Sequence, residues 1–66
     1  MKKGSKVVIT NHDYDYLIGN VATIAFVYKI IDWDIIYKLR NRNGLIKGWF
    51  NAYEIQPLLF MNMKPI

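Results

Sequence analysis

A chain of 66 residues with no cysteine is one small domain that cannot rely on a disulfide or a thiolate–metal staple. Its core must come from composition, and 53% apolar with 15% aromatic residues is enough to try. The formal net charge of +4 is modest and bears on solubility before it bears on binding. After MKKGSK the apolar run VVI is too short for a signal peptide, and no stretch nears the roughly 18 apolar residues of a membrane helix. A soluble cytoplasmic protein with no membrane partner is expected.

Apolar residues recur with a period close to two, and turn residues separate the runs. Residues 6–10 (KVVIT) predict a first strand, and residues 11–20 (NHDYDYLIGN) a polar, aromatic loop closed by Gly19. Residues 21–31 (VATIAFVYKII) predict a long second strand, with Asp32-Trp33-Asp34 turning the chain. Residues 35–42 alternate as a third strand, and Asn43-Gly44 marks a tight hairpin because both residue types tolerate the positive φ of a type I′ turn. Residues 45–51 (LIKGWFN) return as a fourth strand, residues 52–55 (AYEI) make one tight helical turn, and residues 56–60 form a last short strand.

A two-residue Asn-Gly loop sets Arg42 opposite Leu45, Arg40 opposite Lys47, Lys38 opposite Trp49 and Tyr37 opposite Phe50. Ile35, Tyr37, Leu39, Ile46, Phe50 and Ala52 then face inward, with Gly48 facing Leu39. Lys38, Arg40, Arg42, Lys47 and Trp49 face outward. Trp49 and Phe50, though adjacent, therefore part company: one is surface, the other core. Short strands of this number suit a small, strongly bent barrel better than a two-layer sandwich.

"DWDIIYKLRNRNGLIKGWFNAYEIQPL" resembles the second half of an SH3 domain, where a Trp opens the third strand and a Gly-aromatic-Phe segment leads into a 3₁₀ turn. "IGNVATIAFV" resembles the strand opening of KOW-type barrels, with Ala22 where that pattern has Gly. The resemblance covers about residues 4–59 and implies an all-β, five-stranded SH3-like barrel over residues 1–60, with a single 3₁₀ turn before the last strand and an apolar tail at 61–66. Asn51 and Glu54 replace the Pro and Tyr that polyproline recognition uses in eukaryotic SH3 domains, so that ligand is not implied. The ending FNAYEIQPL is similar to bacterial and phage SH3-like barrels, many of them small accessory proteins.

Side-chain chemistry points to binding rather than catalysis. In an SH3-like barrel the first loop and the turn between the second and third strands lie side by side, so Tyr14, Tyr16 and Trp33 would line a groove that Tyr53 completes, with Trp49 flanking it. Such aromatics suit a protein partner, since Trp and Tyr anchor interfaces, though they also lid small cores well. Lys29, Lys38, Arg40, Arg42 and Lys47 form the alternative: a basic stripe for nucleic acid, with Trp49 stacking on a base. A like-charged Arg40–Lys47 pair would favour a visiting anion. Asp13/Asp15 and Asp32/Asp34 fit loop hydrogen bonding, and five acidic residues in all fall short of the ligands a hard metal needs. His12 is the sole histidine and Glu54 the sole glutamate. No enzyme, cofactor or metal is expected. The tail residues Met61, Met63 and Ile66 suggest a cap over the barrel or a sticky surface for self-association, which keeps open a third role as a structural subunit of a larger assembly.

Overall fold

A computed structural model describes residues 1–58. The fold is all-β: strands β1 (Lys6–Ile9), β2 (Val21–Ile31), β3 (Asp34–Asn41), β4 (Gly44–Leu45), β5 (Phe50–Asn51) and β6 (Ile55–Pro57), with 3₁₀ turns at Asp15–Leu17 and Ala52–Glu54. All pairings are antiparallel, in the order β4-β3-β2-β1-β6, and β5 also pairs with β3. Among the described residues the sheet has six strands and is open, where a closed barrel of five strands is expected from the sequence. It still curls: β5 and β6, on opposite margins, are joined by only the Ala52–Glu54 turn. The expected C-terminal part of the last strand (Leu59, Phe60) and the tail (Met61, Met63, Ile66) lie outside the described residues.

Alternation puts one side chain per pair of residues into a shared core. Val7 and Ile9 from β1, Ala22 and Ile24 from β2, Tyr37 and Leu39 from β3, Phe50 from β5 and Ile55 from β6 are all buried together. Leu17, Ile35 and Ile46 pack on the rim, whereas Ala52, expected inside, is exposed. Phe50 is wholly buried and Trp49 is 47% exposed, so the two neighbours do face opposite ways. Among the described residues every buried side-chain polar atom has a hydrogen-bond partner.

The hairpin after β3 differs from expectation. Asn41 faces Gly44 and Arg40 faces Leu45, so the loop residues are Arg42 and Asn43. Among the described residues no non-glycine has positive φ, and Gly44 alone takes it in this hairpin (115°), which excludes a type I′ turn centred on Asn43-Gly44. The Asn41 side chain accepts a hydrogen bond from the Asn43 amide at 2.8 Å, a local bond that favours this tighter placement. Farther along, Tyr37 pairs with Phe50 as expected. Between β4 and β5 the return strand therefore carries two extra residues, and it leaves the ladder over residues 46–49, where Gly48 has φ of 90°. Leu39 consequently receives its hydrogen bond from the Ile46 amide (2.8 Å) rather than facing Gly48. The Arg40–Lys47 like-charge pair is not formed.

The loop between β1 and β2 is held at its neck. Gly19, at φ of 93°, donates to the Ile9 carbonyl (2.7 Å), and the Ile9 amide donates to Asn20 (2.9 Å). At the other margin the Glu54 carboxylate accepts from the Asn51 amide (2.8 Å), half of a capping box on the second 3₁₀ turn. The Glu54 carbonyl accepts from the amides of Thr10 and Asn11 at 2.9 and 3.2 Å, binding that turn to the end of β1.

Candidate functional site

The β2–β3 hairpin organises the surface. Ala22–Ala25 of β2 are buried, but from Phe26 onward every residue is exposed, so the distal half of the hairpin runs beyond the core. A two-residue loop, Asp32-Trp33, closes it, with Ile31 facing Asp34. Trp33 at this tip is 84% exposed. It lines a cleft of about 280 Å³ with Asp34, Ile35, Tyr37, Asn51, Ala52 and Tyr53. The second 3₁₀ turn supplies Tyr53, whose hydroxyl accepts a hydrogen bond from the Asn51 side chain (3.3 Å). Two of the expected groove residues, Trp33 and Tyr53, are thus brought together.

Tyr14 and Tyr16 form a separate unit. Their rings stack at 5.8 Å beside the first 3₁₀ turn, a short element the loop composition did not announce. His12 anchors the stack: its ring lies 5.3 Å from Tyr14 and 4.9 Å from the buried Phe50, and its Nδ1 accepts from the Tyr14 amide at 3.0 Å. This histidine is a packing residue of the loop.

Trp49 belongs to a third surface, the outer face of the sheet. Lys38 donates to the Gly48 carbonyl at 2.9 Å and lies 5.7 Å from the Trp49 ring, a cation–π contact that also occupies two of the expected functional residues with one another. The ring of Tyr28 is 6.2 Å away, and Phe26, two residues earlier on β2, receives Lys3 at 5.7 Å.

The expected basic stripe is divided too. Lys29 sits near the hairpin tip and pairs with Asp32 at 3.3 Å, an exposed contact of little energetic weight. Arg40 and Arg42, by contrast, enter a polar cleft of about 440 Å³ with Lys6, Asn20, Thr23, Asn41 and Asn43. Register explains the assembly: Lys6 faces Thr23 across β1 and β2, and Thr23 faces Arg40 across β2 and β3, so three strands place one row on the outer face. Lys6 Nζ donates to the Thr23 hydroxyl at 3.2 Å. Among the described residues no carboxylate lines this cleft. Lys6 was absent from the sequence-derived stripe because only the pairing of KVVI with VATI reveals it. Among the described residues no cluster of three or more metal-type ligands occurs. No helix among them is long and apolar enough to cross a membrane.

No family model matches the chain, and no curated protein or solved structure matches it. Function must therefore be argued from these surfaces.

Proposed function

We propose that the chain is a small non-enzymatic binding module of SH3-like type, its fourth strand interrupted between β4 and β5, that engages a protein partner through the Trp33–Tyr53 cleft. One observation carries the reading: Trp33, 84% exposed, lines a cleft together with the buried Tyr37 and the exposed Tyr53. A large side chain held out in water at a tight turn gives the isolated chain nothing, yet it is the residue type that most often dominates an interface. Asn51 and Asp34 on the same walls supply polar groups to orient a peptide backbone. A strand order that runs from β4 to β6 through β1, with its margins joined by a 3₁₀ turn, supports the SH3-like assignment. A bacterial or phage accessory protein of the cytoplasm is the biological setting that fits this reading.

The test is selection of binders from a displayed peptide library, followed by amide-shift mapping. Trp33→Ala should abolish binding of the selected peptides with no loss of fold, while Arg40→Glu with Arg42→Glu should spare it. Selected peptides that bind Trp33→Ala as well as wild type would sink the proposal.

A second reading rests on the polar cleft. Lys6, Arg40 and Arg42 with three asparagines and no carboxylate suit a phosphate backbone. Nucleic-acid binding would then fall steeply with salt and disappear in the Arg40→Glu, Arg42→Glu variant.

A further inference from the structure

β2 outruns its neighbour. β1 pairs with it at Val21–Thr23, and the last backbone bonds on that edge join Ile24 to Gly4 and Ser5 at 2.8 and 2.9 Å. From Phe26 to Ile31 the strand pairs with β3 on one side, and on the other side no described residue forms a ladder with it. Natural sheets blunt such edges with charge, proline, β-bulges or very short strands, and the register shifts of β2 fall only at the two ends of this segment, between Ile24 and Phe26 and between Lys29 and Ile31. Here the segment reads FVYKII, five apolar residues of six, and its one charge, Lys29, is turned to Asp32. One face is apolar and exposed: Phe26 and Tyr28 at 51% and 58%, joined by Ile31 at 44% because the register shift after Lys29 sets Ile31 opposite Asp34, with Ile30 (50%) at the shift itself. Val27 (41%) shares the other face with Lys29.

We propose that this edge is a homodimer interface, in which two copies pair antiparallel through residues 26–30 about a twofold axis. A strand edge is its own complement under such an axis, so one surface serves both subunits. Charge selects the register. Centring the pair on Lys29 would oppose two like charges, whereas centring it on Tyr28 sets Phe26 opposite Ile30 and Val27 opposite Lys29, and separates the two lysines. Apolar residues then meet on the face of Phe26 and Tyr28, and on the other face Val27 packs against the aliphatic stem of Lys29. The area is limited: the exposed parts of Phe26, Tyr28, Val27 and Ile30 sum to at most about 400 Å² per copy, and edge-to-edge pairing covers only their flanks. That lies at the weak end of specific interfaces, so a reversible dimer with micromolar dissociation follows. Neither proposed ligand cleft is covered, and the dimer stands or falls independently of them.

Sedimentation velocity on the full chain, from micromolar to millimolar concentration, tests the proposal. Wild type should pass from monomer to dimer. Val27→Lys with Ile30→Lys, both at exposed positions, should weaken the dimer roughly tenfold or more, with an unchanged circular dichroism spectrum. Because the chain has no cysteine, Tyr28→Cys should form an intermolecular disulfide on mild oxidation, and Tyr14→Cys in the first loop should not. A wild type that stays monomeric throughout overturns the proposal. So does a dimer that the two lysines leave undiminished, or one in which Cys at 14 and 28 cross-link alike.

Discussion

Replacing Gly48 with alanine probes the feature that most distinguishes this sheet, the break that separates β4 from β5. Gly48 has φ of 90°, and a Cβ there would meet nothing within 4 Å, so the substitution is a pure test of backbone conformation. Two terms compete. An L-residue held at positive φ costs about 1–2 kcal/mol, while loss of glycine freedom in the unfolded chain returns about 0.4–1 kcal/mol. Strain wins, and the net destabilisation is about 1 kcal/mol. For a domain this small that amounts to a fall in Tm of about 4–8 °C, and to a lower urea midpoint at constant slope. The effect should reach Trp49 as well, since Lys38 is fixed by the Gly48 carbonyl and in turn holds the indole. Indole emission of Trp49 should shift in the variant, best read in a Trp33→Phe background. An alanine variant as stable as wild type, or more so, would refute the left-handed conformation at this position and with it the two-residue displacement between β4 and β5.

Phe50, wholly buried at the centre of the core, should cost about 3–5 kcal/mol when cut to alanine, and thermal unfolding should show a chain with little folded population left. Glu54→Ala strands the Asn51 amide and should lower stability by about 1 kcal/mol, whereas Glu54→Gln keeps an acceptor and should cost much less; parallel urea melts compare them. Trp33→Ala should leave the melting curve of the chain unchanged within about 0.5 kcal/mol, because the side chain is already in water; a large loss would make it structural.

Most of the strand pattern is legible in the residues, for reasons that are local. β2 begins and ends where its apolar run does, and the Asn-Gly dipeptide signals a hairpin at the right place in the chain. Alternation alone parts Phe50 from Trp49 and brings Lys38 to the indole. The hairpin register escapes because it depends on which residue takes the positive φ, and one hydrogen bond from the Asn43 amide to the Asn41 side chain shifts the turn back by one residue. Gly48 then absorbs the discrepancy, so Tyr37 and Phe50 meet as alternation requires. The aromatic groove fails as a unit for a different reason: Tyr14 and Tyr16 stack on one another over His12, a contact between loop residues that no periodicity encodes. The free edge of β2 is half visible in FVYKII, where apolar residues on both parities announce a strand that needs cover on both faces, although nothing in the string says that β1 stops short.

The two proposed ligand clefts lie at opposite ends of one hairpin, which makes the two proposals separable by electrostatics. Thr23 lines the polar cleft, and Ile31 precedes the tip that carries Trp33. The eight residue steps from Thr23 to Ile31 span about 26 Å of extended chain at roughly 3.3 Å each. The Debye length at physiological salt is about 8 Å, so a charge change at Arg40 or Arg42 is screened out well before the tip. Reversal of both arginines should therefore eliminate oligonucleotide binding and leave the affinity of a Trp33-dependent peptide within about twofold, provided salt is physiological. At low salt the Debye length grows to about 30 Å, and only a charged peptide should then begin to feel the reversal. Equal losses at both clefts at physiological salt, in a variant that melts like wild type, would mean that the ends communicate through the strands themselves. The hairpin would then have to be treated as one binding element, with its two ends no longer assignable to separate partners.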